Sequence, residues 1–129
     1  MESGQRSTIN MGWFRVNWDA AVGKQTGRTG LGVVIRDHHG ELMAARSLTY
    51  VGLLDPAAAE AVAATMAIQL AWDKGYRQVY MEGDVKVIID AILEDARDWS
   101  RVGHLVEDIR SSLQHFTSWK MAHVRRVGN

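Results

Sequence analysis

No cysteine occurs in the 129 residues, so neither a disulfide framework nor a thiolate metal site is available, and an intracellular location, nuclear or cytoplasmic, is the simpler expectation. Charge of either sign is not in surplus. Fifteen Lys and Arg balance fifteen Asp and Glu, so any attraction for a polyanion has to come from local basic clusters. No apolar run approaches the roughly 18 residues a membrane helix needs, and the N-terminus lacks the charged, apolar and small-residue order of a signal peptide. A membrane partner is not expected. Internal repeats and low-complexity segments are also missing. What remains, with 47% of residues apolar, is the composition of one domain with a single core between two layers. Residues 1–12 are polar and patternless and are set aside as a tail or cloning remnant, leaving residues 13–129 as the domain.

The stretch from Trp13 to Ala20 alternates at period two, with Phe14, Val16, Trp18 and Ala20 on one face and Arg15, Asn17 and Asp19 on the other. This is a strand that ends on an acid, where open α/β sheets tend to place their chemistry. A glycine-rich loop from Gly23 to Gly30, carrying Lys24 and Arg28, leads to a second strand over Leu31–Arg36. Asp37-His38-His39-Gly40 reads as a tight turn, and Glu41 to Tyr50 as a third strand. The paired histidines need no metal to explain them in a solvated turn. Met43, Met66 and Met81 read as core filling.

Asp55-Pro56 is a helix start, an N-cap acid followed by the one proline in the chain, and Gly75 is the stop. Thr65, Gln69 and Asp73 mark the exposed stripe of this helix. At about 100° per residue, Glu60 lies on the opposite side, with Ala64, Ala67 and Ala71. A buried carboxylate is costly unless paired or bound to metal; the alternative is that Glu60 merely favours the helix dipole or reaches water at the sheet edge. Arg77–Glu82 reads as a fourth strand, parallel to the first by a crossover, and Gly83-Asp84 turns into an amphipathic helix over Val85–Leu93. Asp84 taken alone is an N-cap. Asp19, Asp84 and Glu60 together place three carboxylates at one point. A polar connection over Asp95–Arg101, a third helix over Val102–His115 and a fifth strand over Trp119–Val124 complete an order of β-β-β-α-β-α-α-β.

Val16-Asn17-Trp18-Asp19-Ala20-Ala21, Gly30 to Asp37 with Gly40, Ala59-Glu60-Ala61, Glu82-Gly83-Asp84 and His123 to Asn129, in that sequence, resemble the ribonuclease H superfamily. They are most similar to the plant group described as reverse-transcriptase-like ribonuclease H domains. The resemblance implies an α/β fold with a mixed five-stranded sheet of order 3-2-1-4-5, strand 2 antiparallel, and helices packed on it. It implies that Asp19, Glu60 and Asp84 are catalytic and bind two Mg2+ ions, with Mn2+ as a substitute, and that the enzyme cleaves the RNA strand of RNA–DNA hybrids. Ala20, Lys24, Arg28, Lys86, Arg125, Arg126 and Asn129 are the matching or nearby candidates for substrate contact, and His123 is either a strand residue or a catalytic group. A fourth metal-site residue is expected in a C-terminal helix starting just after the position of Asn129, and that helix is missing from the sequence. The oligomeric state is open.

Magnesium takes oxygen ligands and keeps several waters, so a few carboxylates plus a substrate phosphate make a site. Two such ions activate the attacking water and stabilise the leaving oxygen. Hybrid duplexes are read through backbone shape and 2′-hydroxyls without a base code. Two other readings stand beside this one: a catalytically silent nucleic-acid-binding or protein-interaction domain of the same fold, and an exonuclease needing a free end. Like charges gathered at one point repel. Asp19→Asn is therefore expected to raise the melting temperature without metal and to weaken the shift that magnesium induces; a lower melting temperature with an unchanged magnesium response would show that the three acids do not share a site.

Overall fold

The period-two pattern of the first strand becomes a layer boundary. In the computed structural model, which describes residues 10–94 and 99–124, Val16, Trp18 and Ala20 of strand β1 (Phe14–Gly23) are buried while Asp19 is exposed. β1 pairs antiparallel with β2 (Arg28–Arg36), which pairs antiparallel with β3 (Leu42–Val51). Helix α1 (Pro56–Asp73) crosses over to β4 (Gln78–Gly83), which lies parallel to β1. Helices α2 (Val85–Glu94) and α3 (Trp99–Leu113) follow, and β5 (Ser118–His123) joins the outer side of β4 in parallel. The sheet order is 3-2-1-4-5 with β2 antiparallel to its neighbours, as expected. None of the described helices is long and apolar enough to cross a membrane.

Helix α1 carries the core. Asp55 caps it by accepting from the Ala58 N–H at 3.3 Å, and Pro56 occupies the first turn. At the other end Tyr76 N–H reaches Ala71 O and Gly75 N–H reaches Trp72 O, both at 3.0 Å. This is a Schellman closure, and it needs the left-handed φ of +85° that Gly75 supplies. Ala57, Ala59, Ala61, Ala63, Ala64, Ala67 and Ala71 are all buried, and side chains this small let the helix lie close on β1 and β2. Thr65, Gln69 and Asp73 are exposed, as the stripe predicts.

Five expectations are corrected. The Gly23–Gly30 loop is only a four-residue turn, Lys24–Gly27, because β1 and β2 stay paired out to Gly23↔Arg28. For the same reason Asp19 does not end its strand: it lies opposite Gly32 in the middle of β1, which runs on to Gly23. Thr29, expected in that loop, is fully buried; its hydroxyl donates to Gly52 O at 2.9 Å and accepts from Leu54 N–H at 3.1 Å, tying down the lead into α1. Met43 is not core: β3 is the outer strand with nothing beyond it among the described residues, and Met43 is 43% exposed, whereas Met81 is fully buried. Finally, α3 begins at Trp99 rather than Val102, so the tail of the supposed polar connection is already helical, and its residues 95–98 lie outside the described residues. Polar composition there misled, since a helix flank needs only one apolar stripe, here Val102, Ile109 and Leu113.

The turn between β2 and β3 is closed by Asp37, whose Oδ1 accepts from both His39 N–H and Glu41 N–H at 2.9 Å. The Glu41 hydrogen bond, seconded by that of His39, holds this carboxyl below the usual range against the opposing effect of desolvation. On the opposite side of the sheet's centre, a Cβ added to Gly83 would lie 1.9 Å from the Trp18 ring. Glycine is required there because the indole lies flush on the β4 backbone. Gly83→Ala is expected to cost about 1–3 kcal/mol of stability through overpacking, read as a lower urea midpoint at unchanged slope.

Candidate active site

β1 and β4 are hydrogen-bonded over four register pairs, Phe14↔Val79 to Asn17↔Glu82, and then part. Asp19 and Asp84 stand two residues beyond the last pair, one on each arm of the fork. A cleft of about 600 Å³ opens there, lined by both acids together with Asn17, Trp18, Gly32, Arg46, Ser47 and Val124 among others. By alternation, Asn17 and Asp19 occupy the sheet face opposite α1. Across the ladder, Gly32 sits directly opposite Asp19, and a Cβ there would meet nothing within 4 Å. Packing does not demand this glycine; it leaves the cleft floor bare beside the acid.

Asp84 plays two parts. Its Oδ1 accepts from the Val87 N–H at 3.3 Å, which is the expected N-cap of α2, and lies 3.6 Å from His123 Nδ1 at the end of β5. His123 is thus both the last strand residue and a neighbour of the cleft acid. Glu60 is buried, 4% exposed, on the inward side of α1 as expected. It is the fifth residue of the helix, past the first turn, so the helix-dipole reading loses its force. Glu60 is not among the residues lining the cleft, and among the described residues no three His, Asp or Glu side chains lie close enough together to hold an ion.

The basic candidates divide. Lys24 and Arg28 are exposed at the far end of the β1–β2 hairpin and do not line the cleft. Lys86 is exposed and pairs with Asp90 at 2.6 Å, an i,i+4 surface pair of the kind worth about 0–1 kcal/mol. The Ala20 side chain is 5% exposed, packed in the core, which leaves only its backbone for any substrate. Arg125, Arg126 and Asn129 lie outside the described residues. Arg46, the cation that does line the cleft, was read only as part of a strand; its role depends on the pairing Val33↔Arg46, which no local pattern encodes. Arg15 and Glu82 were also missed: Glu82 is 5% exposed, accepts from Asn17 Nδ2 at 3.1 Å and is ion-paired to Arg15. The signal that could have found it is an acid directly after the apolar run Val79-Tyr80-Met81. The Trp18 indole N–H is buried with no hydrogen-bond partner among the described residues, a cost of about 1–3 kcal/mol retained at the fork.

Solved structures share this architecture. The RNase H1 of the halophilic archaeon Halobacterium salinarum NRC-1 is 23% identical with a TM-score of 0.74, covering 88% of this chain and 86% of its own. The N-terminal RNase H domain of a Mycobacterium tuberculosis protein is 15% identical with a TM-score of 0.67, covering 91% and 85%. LC11-RNase H1, solved in complex with an RNA/DNA hybrid, is 19% identical with a TM-score of 0.66, covering 88% and 86%. Among curated proteins, none matches this chain. The fold is that of the ribonucleases H. A reverse transcriptase-like family model matches residues 17–129, and the chain belongs to that family of the ribonuclease H superfamily.

The bare floor gives a direct test. Gly32→Ala is expected to leave the melting temperature level or slightly higher, since the added Cβ meets nothing within 4 Å and a strand loses less backbone entropy with alanine than with glycine. Circular dichroism melts check this, and a clear fall in melting temperature would show that the floor is packed.

Proposed function

We propose that the protein is a metal-dependent endoribonuclease that hydrolyses the RNA strand of RNA–DNA hybrids with two divalent cations. The observation that carries this reading is the meeting of Asp19 and Asp84, from adjacent parallel strands, on one cleft of a ribonuclease H fold. The donor chemistry fits magnesium: carboxylate oxygens are its preferred ligands, and it is commonly bound by one or two carboxylates plus substrate phosphates rather than by a full protein cage. When bound, the cations supply Lewis-acid stabilisation of the phosphodiester and an activated water.

The chain's own residues do the rest. Asp19 and Asp84 are the metal-holding carboxylates, with Glu60 as the third by family resemblance. Asp84 is held in direction by the cap it makes to α2. Asn17 and Ser47 offer polar groups and Arg46 a cation along the same cleft, a lining suited to phosphates and ribose hydroxyls rather than to base edges. LC11-RNase H1 was crystallised with such a hybrid, and this chain shares its fold.

A second reading is a nucleic-acid-binding domain without turnover, favoured by the lack, among the described residues, of three acids or histidines grouped to hold an ion. One assay separates them. A labelled hybrid with magnesium or manganese is expected to be cut internally, with no cutting in chelator and none by Asp19→Asn or Asp84→Asn. Cleavage that survives chelator would sink the metal mechanism. Salt-sensitive binding with no turnover in any metal would establish the silent domain, and loss of cutting on an end-blocked substrate would point to an exonuclease.

A further inference from the structure

Glu82 is a carboxylate in the middle of the sheet, with a side chain 6% exposed. It does not line the cleft. Its two oxygens are engaged by two different residues of the neighbouring strand: Oε2 by the Arg15 guanidinium and Oε1 by Asn17 Nδ2 at 3.1 Å. Arg15 also lies over the Tyr80 ring, 5.2 Å from its centroid, so the guanidinium is held on β4 at a second point.

The position of this cluster is what gives it meaning. Asn17↔Glu82 is the last register pair between β1 and β4, and the fork begins immediately beyond it. On the opposite face the Trp18 ring lies against Gly83, with no room even for a methyl group. The end of the ladder is thus clamped on both faces, polar on one and by the indole on the other. A parallel ladder of four pairs is a short one, and parallel pairing is slightly less stable per residue than antiparallel. A slip of one residue would send Glu82 to the other face, away from Arg15 and Asn17, leaving a buried charge uncompensated.

A buried ion pair is weak evidence for stability, since apolar residues of similar volume often replace it without loss. Its value here is in register. We infer that Arg15, Asn17 and Glu82 form a strand-register lock, and that Glu82 is a positioning residue that fixes how Asp19 and Asp84 face one another across the fork. Its consequence for turnover rests on the nuclease reading above; the lock itself does not.

The test uses the absence of native cysteine. With Asp19→Cys and Asp84→Cys as the spin-labelling pair, dipolar broadening reports the separation of the two positions directly, without metal or substrate. In the otherwise unaltered protein a narrow distribution is expected. Adding Arg15→Met with Glu82→Met, which removes both charges together and avoids stranding either, is expected to broaden it while the melting temperature stays level or rises. Glu82→Gln, which keeps only one of the two acceptor oxygens that Asn17 and Arg15 engage and removes the charge opposite Arg15, is expected to broaden it as well and to lower the melting temperature. A distribution as narrow in the double methionine variant as in the parent overturns the lock.

In the unlabelled protein, Arg15→Met with Glu82→Met is expected to lower magnesium affinity by calorimetry, and kcat on the hybrid, by about 10- to 100-fold, with KM changed by less than about threefold. Broadening in a protein whose parent neither binds metal nor cleaves would uphold the lock and defeat the nuclease reading. Broadening with undiminished kcat and metal affinity in an active parent would overturn the positioning role.

Discussion

The short parallel ladder between β1 and β4 governs the layout of this molecule. Four register pairs hold the two strands together, and the place where they end sets where a cleft can open. Each face of that end is closed differently. Trp18 lies on Gly83 toward the helical layer, and Glu82 gathers Arg15 and Asn17 on the side away from it. Had the ladder run two residues further, Asp19 and Asp84 would be cross-strand neighbours facing each other as like charges, an arrangement that destabilises a sheet. Stopping early turns that liability into an opening with a carboxylate on either arm.

The helical layer answers the same requirement from the other side. An alanine-rich α1 lies close enough to β1 and β2 for Trp18 to be buried at 4% exposure beneath it. The cap at Asp55 and the Schellman closure at Gly75 define both ends of the helix, which fixes the depth at which Glu60 is presented. A carboxylate 4% exposed in such a layer is expensive unless it is paired. The open face contributes by omission: Gly32 beside Asp19 adds no side chain where the floor must stay clear.

Several local expectations went astray for reasons that share a root. Met43 belongs to a strand that opens on four apolar residues, Leu42 to Ala45, yet β3 is an edge with nothing packed beyond it among the described residues, so apolar character did not mean burial. The stretch around Thr29 has the glycine content of a loop, but strand pairing carried it into the sheet and made its hydroxyl a buried tie to Gly52 and Leu54. The N-terminal turn of α3 looked like a polar connection because one apolar stripe suffices for a flanking helix. In each case the burial of a residue was decided by its neighbours in space rather than by its neighbours in the chain.

By itself the sequence determined the kinds and order of the elements, the two ends of α1, the inward side of that helix and the place of Asp84 just past the end of β4. Those follow from periodicity, capping chemistry and glycine's tolerance of left-handed backbone, all of which act within a few residues. It also carried the family, through an ordered set of motifs that the matching family model bears out. Only the tertiary structure decided that β1 and β4 part after Asn17 and Glu82, that Arg46 reaches the cleft from β3, and that Glu82 is bound by Arg15 and Asn17. The first and last depend on register between strands more than sixty residues apart in the chain, and the Arg46 placement on the pairing Val33↔Arg46; register is set by packing and paired buried charge, neither of which leaves a periodic trace in the sequence.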